Sequence, residues 1–231
     1  MITTTPNQLE EETLAEADYA EVASQVKLSI LIITMPNRAD KLQRLMDVLR
    51  PQLPDDGSVE LIVKEELNAN DGGPTIGANR NAAVADAIGE YVSFIDDDDM
   101  VPEYYVAKIL EAIGKEAGNP NDLPEGSNGH YTGSKITFAN HPDVVGFRGH
   151  YILGQNKPEL FIHSIKYKEW ITVDGVHQRC PNHLNPVKRT IALQVPYPDK
   201  NYGEDMDYSM RLLPLLHTEV MIDGIMYFYL K

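Results

Sequence analysis

The amino-acid sequence predicts an α/β protein built on a doubly wound sheet, parallel in its first half and mixed beyond it. Three observations carry the prediction. Short apolar runs rich in β-branched residues recur at Leu28–Thr34, Val59–Val63 and Tyr91–Ile95, and runs of this kind suit strands covered on both faces. Segments with apolar residues at helical spacing lie between them, giving the order βαβαβ. The polar residues gather just after the runs, at the carboxyl ends of the predicted strands, where open α/β sheets bind ligands.

The elements follow in order. Leu28-Ser29-Ile30-Leu31-Ile32-Ile33-Thr34 is the first strand; Pro36 and Asn37 turn the chain. Leu42, Leu45, Met46 and Leu49 then mark a helix that Pro51 stops. Val59–Val63 follows the Asp56-Gly57 turn, and the loop Asp71-Gly72-Gly73-Pro74 precedes a helix over Ala82–Ile88. The third strand, Tyr91–Ile95, ends abruptly in Asp96-Asp97-Asp98-Asp99, and a helix over Pro102–Ile113 comes next. Asp99, with Pro102 in the first turn, is placed to cap it. Gly114–Gly133 reads as a surface loop. Short runs at Val144–Phe147, Tyr151–Leu153, Leu160–Ile165 and Trp170–Val173 predict a mixed or antiparallel extension. Val220–Ile222 and Ile225–Leu230 flank Asp223-Gly224, a hairpin-type pair.

The chain has 231 residues, 42% of them hydrophobic, enough for one large domain. Twenty Lys and Arg stand against 35 Asp and Glu, a formal charge of −15 that repels polyanions. Residues 1–26 hold Glu10, Glu11, Glu12, Glu16, Asp18 and Glu21 and no Lys or Arg, so they read as an acidic tail in which Leu14–Val22 is a short amphipathic stretch. Cys180 is the sole cysteine, which rules out an internal disulfide and a cysteine zinc cluster and fits a reducing, cytoplasmic setting. Without a long apolar span or a basic, apolar leader in the first thirty residues, a soluble protein with no membrane insertion is expected. The motifs GxxxxGK[ST], GxGxxG, HExxH and GxSxG are missing, which removes the main support for NTPase, dehydrogenase, zincin and serine-hydrolase chemistry.

Two acidic motifs carry the chemistry. Four consecutive carboxylates after a buried strand repel one another unless something positive compensates them. Hard cations such as Mg²⁺ and Mn²⁺ prefer such oxygens and take one or two protein carboxylates together with substrate phosphates. The second motif is Gly203-Glu204-Asp205-Met206-Asp207-Tyr208-Ser209-Met210-Arg211, where acids open an amphipathic helix of Met206, Met210 and Leu213 ended by Pro214. His177, Cys180 and His183 recur at three-residue spacing, but this matches no closed zinc site. Tyr151, Tyr167 and Trp170 offer rings for stacking, and Lys188 and Arg189 a basic pair.

In its ordered set of motifs the chain resembles the family 2 glycosyltransferases, inverting enzymes of the GT-A fold. The resemblance runs from Leu28 to Leu230 through Thr34 and Arg38, Leu61-Ile62-Val63 with its acids, Gly77-Ala78-Asn79-Arg80-Asn81, Gly89 to Asp99, Gly203-Glu204-Asp205 and Met226-Tyr227-Phe228-Tyr229. It implies a single GT-A-like domain over 27–231, with a nucleotide-sugar-binding half at 27–100 and an acceptor-side half at 101–231. The family's DxD motif falls on Asp96-Asp97-Asp98 and its acceptor-activating acid on Glu204-Asp205, with Asp205 the base and Glu204 its alternate. The donor pocket falls on Thr34, Arg38, Glu65, Glu66, Asn79, Arg80, Asp96 and Asp97.

The resemblance further implies Mn²⁺ or Mg²⁺ on Asp96 and Asp98, with a late histidine added. Of His177, His183 and His217, His183 ranks first. The implied reaction moves a sugar from a nucleotide-diphosphate sugar, a UDP-sugar first, to a hydroxyl of a glycan, a small molecule or a modified nucleobase. The chain departs from the pattern where Glu65-Glu66-Leu67-Asn68 replaces the usual aspartate pair and Gly-Ser. In its small size and lack of accessory domains it looks like glycosyltransferases encoded by bacteriophages. A nucleotidyltransferase and a non-catalytic sugar-binding module are the rival readings.

Overall fold

Alternation along the first strand sets the layers. In the computed structural model, which describes residues 25–66, 72–115, 141–154 and 156–230, β1 (Leu28–Thr34) lies between β2 (Val59–Glu65) and β3 (Tyr91–Phe94), parallel to both. Leu28, Ile30 and Ile32 face one core, against Leu45, Met46 and Leu49 of α1 (Ala39–Leu49) and Tyr105, Val106 and Ile109 of α3 (Tyr105–Ile113). Leu31 faces the other, with Ala83 and Val84 of α2 (Ile76–Asp86) and with Phe94 and Tyr197. Successive residues thus cover helices on opposite faces, as a doubly wound sheet requires. Each fully buried aliphatic side chain contributes about 1.5–3 kcal/mol.

The remaining strands extend the sheet. They are β4 (Val144–Ile152), β5 (Glu159–His163), β6 (Ile171–Val173), β7 (Val176–Arg179), β8 (Val187–Lys188) and β9 (Glu219–Leu230). The order is β2-β1-β3-β8-β4-β5-β7-β6, with β9 parallel to β4. β8 runs antiparallel to β3 and β4, so the sheet is mixed. Two short helices complete the second half, α4 (Arg189–Ala192) and α5 (Glu204–Leu212).

Several elements differ from the sequence expectation, each for a local reason. Asp223-Gly224 is no hairpin turn: β9 runs straight through it, because both of its apolar halves pair with β4. The register slips opposite Gly146–Gly149, and Gly224, at φ +117°, absorbs the irregularity. The runs at Val144 and Tyr151 join into one strand, β4. The helix expected over Ala82–Ile88 starts at Ile76, capped by Thr75, whose hydroxyl accepts the Ala78 N–H at 3.1 Å. On α5, Met206 and Met210 are exposed, and the buried stripe is Glu204, Tyr208 and Leu212, because Tyr208 stacks on Tyr197 at 4.0 Å. Asp99 does not cap α3, whose N-cap is Tyr104. The acidic tail as far as Ser24, Leu67 and Asn68, and most of the Gly114–Gly133 loop lie outside the described residues.

A close backbone approach joins α2 to the second half of the chain. A Cβ on Gly77 would stand 1.9 Å from the Pro198 carbonyl oxygen, so only glycine lets the start of α2 seat against the segment leading into α5. The Gly77 N–H donates to the Lys200 carbonyl and the Ile76 N–H to Asn201 Oδ1.

Candidate active site

Each aspartate after β3 has its own partners. Asp96 Oδ1 accepts from Arg80 Nη2 at 3.1 Å, and its Oδ2 lies 3.4 Å from His183 Nε2. Asp97, 2% exposed, accepts the Thr34 hydroxyl at 2.7 Å and pairs with Arg38 at 3.1 Å. Asp98 pairs with Arg38 and, at 3.3 Å, with Lys41. Asp99 turns inward and accepts the Tyr227 hydroxyl at 2.9 Å and the Leu230 N–H at 2.8 Å. Arg80, Arg38 and Lys41 thus set positive charge against Asp96, Asp97 and Asp98, while the partners of Asp99 are neutral.

Burial splits their acidities. It raises the Asp96 carboxyl, but Arg80 and His183 more than reverse this and hold it well below the carboxylate range. For Asp97 burial prevails over Thr34 and Arg38, and the pKa rises. Asp99 is pushed up to about 8, by burial first and the Asp96 charge second. Their surroundings thus push Asp99 and Asp96 in opposite directions.

Arg80 joins the two acidic motifs. Its Nε lies 3.6 Å from Glu204 Oε1, while its Nη2 holds Asp96. The guanidinium sits over the Phe94 ring at 4.9 Å and the Tyr197 ring at 5.9 Å. Burial works against its charge, but Asp96, Tyr197 and Glu204 outweigh it and the pKa rises.

Glu204 and Asp205, adjacent in sequence, point to different surroundings. Glu204 is 6% exposed and faces Arg80. Asp205 lines a cavity of about 360 Å³ together with His183, whose carbonyl accepts the Phe94 N–H and so extends the β3 edge towards Asp96. Tyr151, Phe161, Trp170 and Tyr229 form much of the wall.

The residues expected at the donor pocket converge on the carboxyl ends of β1, β2 and β3. Thr34 and Glu65 are register partners, and the Glu66 N–H donates to the Thr34 carbonyl. Asn79 and Arg80 are buried on α2. Lys188 and Arg189 fall at the other end of β3, where Lys188 pairs with Asp143 at 3.2 Å. His177 pairs with Glu159 at 2.7 Å, His217 is exposed, and Cys180 is buried with its Sγ 3.1 Å from Ser209 Oγ. Sequence reading missed Arg179 and His163, both lining the cavity. No alternation in Val176-His177-Gln178-Arg179 singles out the first.

A comparison of sequence models matches residues 67–132, from before α2 through β3, the aspartates and α3, to Glycosyl transferase family 2. No curated protein compared with the chain matches it. Among solved structures, S. aureus TarS 1–349 in complex with UDP superposes with a TM-score of 0.59 at 17% identity, over 89% of this chain and 61% of that one. The complex of the same fragment with UDP-GlcNAc gives 0.58 at 15% identity, over 89% and 59%.

The fold is the GT-A-like α/β fold shared with the TarS fragment, and the stretch from before α2 through α3 is similar to Glycosyl transferase family 2. Within it the chain is short, spanning about 60% of the TarS fragment and 37% of a longer TarS structure. No helix among the described residues is long and apolar enough to cross a membrane.

Asp96, Asp98 and His183 are the side chains here that could hold a divalent cation, although Arg80 already pairs with Asp96, and Arg38 and Lys41 with Asp98. Asp96 Oδ2 and His183 Nε2 are already neighbours, and Asp98 on the same turn is one-third exposed. Hard oxygens with one imidazole match Mg²⁺ or Mn²⁺. Among the described residues no group of three or more His, Cys, Asp or Glu side chains is placed to hold a metal ion by itself.

Proposed function

We propose that the protein is a metal-dependent inverting glycosyltransferase, taking a nucleotide-diphosphate sugar, a UDP-sugar first, and a hydroxyl acceptor. One observation carries the reading: the aspartate cluster and Asp205 meet at His183, which touches Asp96 on one side and borders the Asp205 cavity on the other.

The donor lies over the ends of β1, β2 and β3, with Thr34, Arg38, Glu65, Glu66, Asn79, Arg80, Asp96 and Asp97 around it. Asp96, Asp98 and His183 are the residues that would hold Mn²⁺ or Mg²⁺ together with substrate oxygens, and the ion would supply Lewis-acid stabilisation to the departing diphosphate. Asp205 accepts the proton of the acceptor hydroxyl. The acceptor oxygen then bonds to the anomeric carbon from the face opposite the diphosphate, and the broken bond's electron pair leaves on the diphosphate oxygen. Glu204 is the charge partner that fixes Arg80, which leaves Asp205 as the base.

Asp205→Asn separates binding from transfer. UDP-GlcNAc with Mn²⁺ should still raise the melting temperature of the variant, while transfer falls by about a thousandfold or more, the upper part of the range for a lost general base with its positioning. Transfer that survives in Asp205→Asn overturns the assignment.

A further inference from the structure

The Asp205 cavity holds polar chemistry that the donor side does not use. His163, on β5 and 1% exposed, lines it. Its Nδ1 lies 2.9 Å from Asn185 Oδ1. The Asn185 amide is itself fixed, since its Nδ2 donates to the Val145 carbonyl at 2.9 Å and its Oδ1 accepts the Asn182 N–H at 3.0 Å. Facing an acceptor oxygen, His163 Nδ1 must carry the proton, and Nε2 keeps a lone pair. Burial holds the ring neutral, with its pKa lowered to about 3. Nε2 is therefore a hydrogen-bond acceptor that does not take up the proton at neutral pH, and with Nδ1 committed to Asn185 it is the polar edge the ring offers the cavity.

The Trp170 indole supplies an apolar part of the lining. Trp170 Nε1 donates to Ser209 Oγ at 3.2 Å, and Ser209 lies one helical turn after Asp205 on α5. Arg179 sits over the indole, 5.3 Å from its centroid. The ring is thus held in a fixed relation to Asp205. The charges facing the space are Arg179 against Glu159 and Asp205. Arg179 Nη1 is engaged by the Ile171 and Gln178 carbonyls at 2.7 and 2.9 Å. Arg179 Nε, buried, has no hydrogen-bond partner among the described residues, but against this one cation an anionic ligand would meet the two carboxylates Glu159 and Asp205.

We propose that this cavity takes one uncharged pyranose unit as acceptor, its C–H face on Trp170 and one hydroxyl donating to His163 Nε2. The inference rests on the reading of Asp205 as the base and names the acceptor class for it. A pyranose carries both surfaces the cavity asks for, an apolar face and hydroxyl donors, and one such unit fits within about 360 Å³.

Trp170 is the only tryptophan in the chain, so its fluorescence reports the cavity directly, without donor or turnover. Methyl pyranosides are titrated against the unaltered protein, alongside the corresponding monophosphates. A saturable change with at least one neutral compound, tighter than with its phosphate, is expected. His163→Phe should weaken that binding about tenfold, and His163→Gln, whose side-chain oxygen reaches the Nε2 position, should restore it to within about threefold. No saturable change with any neutral compound, tighter binding of the phosphates, or unchanged binding in His163→Phe overturns the proposal. If His163→Phe does not fold, the ranking of neutral over phosphorylated ligands on the unaltered protein decides. UDP-GlcNAc and Mn²⁺ binding, measured separately, tests the glycosyltransferase reading; its failure leaves the saccharide titration standing.

Discussion

Arg80 Nε lies 3.6 Å from Glu204 Oε1, with both side chains 8% exposed. This pair is the physical link between α2 and α5, and so between the aspartate turn and the helix that carries Asp205. A buried pair of this kind is costly to break from one side, because the surviving charge is left uncompensated.

Arg80→Met should therefore destabilise the protein by about 3–5 kcal/mol in chemical denaturation. Adding Glu204→Gln should recover part of the loss, since it removes the stranded carboxylate. A double variant no more stable than Arg80→Met would show that Glu204 is compensated by something other than Arg80.

Gly77→Ala places a methyl group 1.9 Å from the Pro198 carbonyl oxygen. Backbone must shift, at about 1–3 kcal/mol for overpacking, and donor affinity should fall with the displaced start of α2. Gly114→Ala is the control. Its φ of −82° suits alanine and its Cβ would meet nothing nearer than 3.5 Å, so the melting temperature should stay unchanged or rise.

Two buried groups give opposite pH dependences. Glu219 is pushed from 4.5 up to about 7 by burial, against Ser164 and the Ile165 N–H. Between those values the folded state binds more protons than the unfolded one, so its contribution to stability falls as pH rises. His163, drawn from 6.5 to about 3, binds fewer protons when folded, and its contribution rises with pH over that window. From pH 4.5 to 6.5 the two oppose. Relative to the unaltered protein, Glu219→Gln should gain stability as pH rises from 4.5 to 7, by up to about 1.4 kcal/mol per unit, and show no further gain above 7. Urea denaturation at pH 5, 6 and 7 measures the gain; a pH-independent difference counts against the raised Glu219 pKa.

Mn²⁺ and nucleotide should stabilise jointly. At a hundredfold excess over Kd a UDP-sugar with Mn²⁺ should add about 2.7 kcal/mol, and the gain should drop on adding EDTA. Asp98→Asn should lower the metal-dependent part more than the nucleotide-only part. Stabilisation that EDTA leaves intact would argue for donor binding without metal.

The layers were legible because β1 states them residue by residue: Leu28, Ile30 and Ile32 for one core, Leu31 for the other. The positions of Asp96 and Asp205 were legible as well, since acids after a strand and at a helix start are local signals. Asp99 was not. Its partners, Tyr227 and Leu230, lie about 130 residues away, and no local pattern distinguishes a capping aspartate from one tied to a remote strand. The Arg80–Glu204 pair escaped for the same reason, each residue having a sufficient local explanation. Asp223-Gly224 misled because turn chemistry and bulge chemistry ask for the same residue, and only the pairing of β9 with β4 distinguishes them.

The hold of Tyr227 and Leu230 on Asp99 also sets an order of assembly. Residues 28–94 can close their parallel strands while the chain is still being made, but the aspartate turn acquires its Leu230 partner only when β9 docks on β4. Long sequence separation makes that step slow and late. The nascent protein would own a sheet before it owns a reactive centre, and detachment of β9 would loosen the centre while the first strands stay folded.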